Sequence, residues 1–165
     1  MILNNGNIKK SKLLRYIILD DVSQEEYIDK ITKYHKTIET QEFKEYLEIE
    51  KFIHDSKIDI KITKNQLEIR LEYWKSEIKK LEQSSLIFKN GKIVSWNKIR
   101  KSGHISRQNT TIKPYEYGYD EFYEYNGQKY VTILIFTKPG SKVNTGIYYP
   151  IITIRYDKME VKRNA

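Results

Sequence analysis

The sequence predicts an α+β fold in which N-terminal helices are followed by an antiparallel β-sheet. Two observations predict it. Up to about residue 84, apolar residues recur mainly at spacings of three and four, as on one helix face, whereas later segments alternate and contain Asn-Gly pairs. Glycine and proline, which disfavour helix interiors, are scarce before residue 90. We therefore expect a single domain over 1–165, helical over about 20–84 and β-rich over about 85–157.

Two helices are predicted in the first third of the chain. The first begins after Ser23, whose hydroxyl can cap it, and Glu25 and Glu26 place negative charge in its first turn. The second begins after Thr40 and carries apolar residues from Phe43 to Ile53.

The next segment combines a short strand with a third helix. Isoleucines at 58, 60 and 62 alternate with charged residues, as in a half-buried strand. A seam at spacings of 4, 3, 4 and 3 then predicts a helix and consists of Leu67, Leu71, Trp74, Ile78 and Leu81. The seam fits one straight helix or two helices joined by a turn, and the pattern does not decide between them.

Asn-Gly pairs predict two hairpins in the β-rich half. Asn90-Gly91 separates short apolar runs, and Asn126-Gly127 precedes the segment 129–136, the most β-prone part of the chain. A last strand is expected over 147–156, with Pro150 at an edge or a bulge.

The composition excludes several kinds of site. The chain has no cysteine, which excludes disulfides, thiol catalysis and cysteine-ligated metals, and its 3 histidines leave little scope for a histidine site. Neither a metal nor a cofactor is predicted. No apolar segment approaches the ~20 residues of a spanning helix, so we expect a cytoplasmic protein without a membrane partner. The net charge of +8 favours a polyanionic partner.

Charge is segregated in the middle of the chain. Between residues 89 and 113 every charged side chain is basic: Lys89, Lys92, Lys98, Arg100, Lys101, Arg107 and Lys113. Between 114 and 126 every one is acidic: Glu116, Asp120, Glu121 and Glu124. A basic run is typical either of a solvated face or of a surface that neutralises phosphates. We favour the second interpretation and predict nucleic-acid binding.

The sequence of Leu81–Trp96, LEQSSLIFKNGKIVSW, resembles the end of a winged helix-turn-helix domain of the phage and plasmid replication-initiator type. The resemblance covers about residues 43–98, with Ser85 in place of the family's glycine. It implies that the helix from Trp74 to Leu81 enters the major groove and that the hairpin is a wing on the backbone. The implied contacts are Arg70, Lys75, Lys79 and Lys80 from the helix, with Lys89 and Lys92 from the wing. The resemblance favours DNA over RNA as the ligand. A homodimer is compatible with the sequence but is not predicted by it.

Two other functions stay open. His104 lies among cations and is followed by Arg107, Lys113 and Tyr115, which resembles small ribonuclease toxins. A histidine can act as general acid or base near neutrality, so this group predicts metal-independent RNA cleavage. An exposed histidine in a basic loop is the non-catalytic interpretation. The third function is a protein-interaction module, such as an inhibitor or immunity protein, that uses the two charge strips.

Overall fold

The computed structural model describes residues 41–100, 105–107, 116–136 and 148–164, together with Ser23, Glu25, Glu26 and Asp29. In these ranges a helix is followed by nine strands: α1 (Gln41–Ile53), β1 (Lys57–Ile62), β2 (Gln66–Lys75), β3 (Lys80–Lys89), β4 (Lys92–Arg100), β5 (Ile105–Arg107), β6 (Glu116–Tyr125), β7 (Gln128–Phe136), β8 (Tyr148–Tyr156) and β9 (Lys158–Asn164). The strands form one antiparallel sheet in the order β5-β4-β8-β7-β6-β1-β2-β3-β9.

The predicted succession of N-terminal helices and a later sheet is wrong, because the sheet already begins at Lys57. The error lies in the segment 67–81, which forms the β2–β3 hairpin rather than a helix. Leu67, Ile69, Leu71 and Tyr73 alternate along β2, and all four are buried. Because these alternating residues bury one face of a strand, the segment follows the two-residue period of a strand and not the helical spacing of 4, 3, 4 and 3. The helix-turn-helix and its recognition helix are therefore absent from this segment.

Helix α1 agrees with the second predicted helix. Its buried face consists of Phe43, Tyr46, Ile49 and Ile53. At the start of the first predicted helix, Ser23 Oγ accepts a hydrogen bond of 3.2 Å from the backbone N–H of Glu26, which confirms the predicted cap. Most of that helix lies outside the described residues.

The two Asn-Gly turns differ in what they connect. The pair at 126–127 joins β6 to β7 in the predicted hairpin, with positive φ at both residues. The pair at 90–91 joins β3 to β4, which do not pair: β3 lies between β2 and β9, and β4 lies between β5 and β8. The hairpin predicted there is wrong, and Asn90-Gly91 instead forms a corner of the sheet.

Asp157 forms the matching corner between β8 and β9. The Asn90 side-chain amide donates a 2.7 Å hydrogen bond to the Asp157 carboxylate, and the Asp157 N–H donates one of 3.1 Å to the Lys89 carbonyl. At these corners the chain passes between distant parts of the sheet. As a result, Phe88 of β3 meets Tyr156 of β8, with ring centroids 5.1 Å apart, although the two strands are not neighbours.

The core lies between the sheet and α1. Phe43 and Tyr46 of the helix contact Phe122 of β6 at centroid distances of 5.4 and 4.9 Å. The predicted strand 129–136 is confirmed within β7, and its residues 130–135 are all buried. Burial on both faces explains why its sequence is a continuous apolar run rather than an alternation.

Candidate nucleic-acid interface

The end of the β2–β3 hairpin projects beyond the neighbouring strands. The pairing of β1 with β2 ends at Glu72, and the pairing of β9 with β3 ends at Gln83. Residues 73–82 therefore pair only with one another among the described residues, and we call them the ribbon tip.

One face of the ribbon tip is apolar and exposed to solvent. The exposed fractions of Trp74, Ile78 and Leu81 are 59%, 53% and 51%. Trp74 and Leu81 lie directly opposite each other on the two strands. Grouped apolar side chains that solvent reaches are typical of contact surfaces, whereas scattered ones are ordinary.

Helix α1 supports the opposite face of the ribbon tip. Phe52 stacks on Tyr73 with ring centroids 6.2 Å apart, and Lys51 forms a 2.8 Å ion pair with Glu77 in the turn. The ammonium group of Lys75 lies 5.5 Å from the centre of the Phe52 ring. These contacts hold the ribbon tip against the body of the protein while its apolar face stays open.

Three of the four cations assigned to the recognition helix meet at the ribbon tip. Lys79 lies in the turn with a φ of 51°, and Lys75 pairs in register with Lys80. Lys75 also lies 3.9 Å from the Glu82 carboxylate. The fourth cation, Arg70, lies outside the ribbon tip, where β2 is paired with both β1 and β3, and it forms an ion pair with Glu68 at 3.2 Å.

The predicted basic stretch is divided between two parts of the sheet. Lys89 is the last residue of β3, and its ammonium group lies 3.5 Å from Glu160. On β4 and β5, Lys92 lies in register with Arg155, and Arg107 with Asn97. Lys98 and Arg100 occupy alternate positions of β4, while Lys101, Lys113, His104 and Tyr115 lie outside the described residues.

Strands β4, β5 and β8 carry basic charge alone. Their charged residues are Lys92, Lys98, Arg100, Arg107 and Arg155. We call these three adjacent strands the basic end of the sheet. Elsewhere, β1, β2, β3 and β9 each contain both signs of charge.

A buried polar cluster joins α1 to β6. The hydroxyls of Tyr46 and Tyr117 both donate to the same carboxylate oxygen of Asp120, the second at 2.5 Å. Both tyrosines are fully buried, and Asp120 is 8% exposed. The hydrogen bond from Tyr46 ties the helix to the sheet across the core.

A β-bulge brings Tyr117 and Asp120 to the same face. Tyr117 pairs with Ile135 and Asp120 with Ile133, so Gly118 and Tyr119 together oppose Leu134 alone. The extra residue shifts the alternation, and side chains three positions apart both point inward. This cluster was not predicted from the sequence, although a glycine within a strand pattern is a known signal for a bulge.

Burial controls ionisation in this cluster. Desolvation raises the pKa of Asp120, although the hydrogen bonds from Tyr117 and Tyr46 oppose the rise. Burial, followed by the negative charge of Asp120, raises the pKa of Glu50 on α1 from 4.5 to about 7. Burial likewise raises the tyrosine pKa values well above 10.0. The two tyrosines therefore keep their protons, and the hydrogen bond from Tyr46 holds α1 in place.

The Glu50→Gln variant is expected to change how stability depends on pH. Because the folded pKa exceeds the unfolded one, the Glu50 contribution is present below pH 4.5 and is lost as pH rises through about 7. At about pH 8 the variant should be more stable than the parent by about 2 kcal/mol, a value reduced for the partial exposure of this carboxyl. Urea unfolding across this range measures the difference.

Glu124→Gln, which makes the same substitution at the exposed end of β6, is the matched control for the change of charge. A Glu50→Gln profile that stays parallel to the parent would contradict the expected pH dependence.

Comparisons with protein-family models, with curated proteins and with solved structures found no match to this chain. None of the described residues forms a helix with the length and apolarity needed to cross a bilayer. No group of three His, Cys, Asp or Glu side chains within the described ranges is arranged to hold a metal ion. The function is therefore inferred from the chain's own residues.

Proposed function

We propose that this protein binds nucleic acid and that the ribbon tip makes the principal contact. The observation that carries the proposal is a projecting two-stranded ribbon with exposed Trp74 on one face, Lys75 and Lys80 on the opposite face, and Lys79 in its turn. Lysine ammonium groups supply the sequence-independent part of the affinity, because they neutralise phosphates and release counterions.

The basic end of the sheet supplies a second contact. Its charged residues are all cations, so a polyanion meets no repulsion from carboxylates of these three strands. Lys92 and Arg155 lie side by side there, and Lys92 is exposed. The net charge of +8 adds a long-range attraction for either DNA or RNA.

The Lys79→Glu/Lys80→Glu variant is expected to bind labelled DNA and RNA at least about tenfold more weakly near physiological salt. Each lost phosphate contact should also lower the slope of log Kd against log salt concentration by about 1. Fluorescence anisotropy titrations at several salt concentrations measure both quantities.

Lys61→Glu/Lys162→Glu is the matched control, since it makes the same change of charge at exposed positions of the mixed-charge strands β1 and β9. It should change the affinity less than about threefold. Equal losses in the two variants would show that net charge alone acts, and no binding by the parent would remove the proposal.

A further inference from the structure

The apolar face of the ribbon tip continues into a polar groove. The groove has a volume of about 320 Å³ and lies on the outer face of β1, β2 and β3, next to the end of β9. Its polar lining residues include Lys57, Asp59, Arg70, Glu72, Gln83 and Asn164. On this face of the sheet the pair Glu72 and Gln83 is the next one after the pair Trp74 and Leu81. The groove and the apolar face therefore form one surface.

The groove offers hydrogen-bond donors and acceptors in alternation. Lys57, Arg70 and the two amides donate, whereas the carboxylates of Asp59 and Glu72 accept. The Gln83 amide already donates to Glu72 at 3.1 Å, which orients both side chains. A lining with carboxylates in it suits the mixed edge of a nucleobase better than it suits a phosphate.

The apolar face itself has little capacity to recognise paired bases. In a duplex, the groove presents base edges, which are recognised by hydrogen bonds. Trp74, Ile78 and Leu81 instead offer an aromatic plane and two aliphatic side chains. Such surfaces match the faces of bases, and base faces are accessible only where the strand is unpaired.

We propose that the ribbon tip stacks unpaired bases, so that the preferred ligand is single-stranded or locally melted nucleic acid. This inference rests on the proposed function and adds the class of ligand. Trp74 supplies the stacking plane, Lys79 in the turn contacts a flanking phosphate, and the groove receives the edge of a neighbouring base.

The Trp74→Ala variant tests the proposal in anisotropy titrations with an oligonucleotide of about 20 nucleotides, used single-stranded and as its duplex. The parent should bind the single strand more tightly than the duplex. The variant should lose about tenfold in affinity for the single strand and less than about twofold for the duplex. Trp74→Phe, which keeps an aromatic plane, should retain most of the affinity.

Ile62→Ala is the matched control, because this residue is 60% exposed on β1 at a distance from the ribbon tip. It should leave both affinities unchanged, and circular dichroism should show all variants folded. A parent that prefers the duplex, or an unaltered single-strand affinity in Trp74→Ala, overturns the inference while salt-dependent binding still upholds the proposed function. Absence of binding to either form removes both.

Two further measurements test whether the apolar face binds a membrane or a second copy of the chain instead. Co-sedimentation with vesicles that contain an anionic phospholipid tests a membrane surface, and light scattering over a range of protein concentrations tests a second copy of the chain. If Trp74→Ala abolishes either of these interactions and leaves single-strand affinity intact, the stacking proposal is overturned.

Discussion

The Tyr46→Phe/Tyr117→Phe double variant is expected to lower the free energy of unfolding by about 3–5 kcal/mol at neutral pH, because both hydroxyls donate to one buried carboxylate. Each single variant should cost about 1.5–3 kcal/mol, the usual range for a hydrogen bond to a charged group. Urea unfolding of the parent, the two single variants and the double variant measures these costs.

The loss of stability caused by the double substitution should be smaller at acidic pH. Loss of the tyrosine donors removes the hydrogen bonds that oppose the raised pKa of Asp120, so its pKa rises further. Once Asp120 is protonated, no buried charge requires the two donors, and the difference between variant and parent becomes smaller.

Two controls separate the hydrogen bonds from packing. Tyr125→Phe removes an exposed hydroxyl from the same strand and should leave stability unchanged. In an Asp120→Ala background the double substitution should cost less than about 1 kcal/mol, because no carboxylate remains to accept. An undiminished cost in that background would show that the tyrosine hydroxyls act elsewhere.

Gly118→Ala is expected to destabilise the protein by about 2–3 kcal/mol, as over-packing against a rigid neighbour does. A Cβ atom at this position would lie 2.8 Å from the backbone carbonyl oxygen of Leu134 and 3.1 Å from the Phe136 ring. The carbonyl belongs to the paired strand β7 and cannot move without separating the two strands at the bulge. Thermal and urea unfolding measure the loss.

Gly127→Ala is the control for this substitution. Gly127 lies in the β6–β7 turn with a φ of 70°, and a Cβ atom there would contact nothing within 4 Å. Gly127→Ala should lower the free energy of unfolding by only about 1 kcal/mol, the backbone strain of an alanine in the left-handed region. If Gly118→Ala costs no more than Gly127→Ala, the close approach at the bulge does not determine stability.

Local signals predicted the elements that depend on neighbouring residues. The Ser23 cap, helix α1, the Asn126-Gly127 hairpin and strand β8 all follow from patterns within a few residues, whereas β9, which follows the strand expected to be the last, was not predicted. The segment 67–81 was predicted wrongly, because its apolar residues satisfy a helical and a β period at once. Only the pairing of β2 with β1 and β3 decides in favour of the strand.

The candidate interface was predicted in part. The sequence identified Lys75, Lys79 and Lys80 as nucleic-acid contacts but placed them on a helix, and it did not single out Trp74 as a contact. The projection of the ribbon tip depends on where β1 and β9 stop pairing. Strand β9 is distant from the hairpin in sequence, and no short sequence pattern indicates where the pairing of β1 or of β9 ends.

Three features follow from the order of the amino acids alone: the charge of the protein, the segregation of its cations from its acids, and the turn at each Asn-Gly pair. The tertiary structure alone decided that Asn90-Gly91 turns a corner rather than closing a hairpin, and that Tyr46 reaches Asp120. The physical reason is the range of the interactions. Propensity and turn geometry act within a few residues. Strand pairing instead joins residues as distant as Gln83 and Asn164, and the burial of the Asp120 carboxyl depends on Tyr46, 74 positions away.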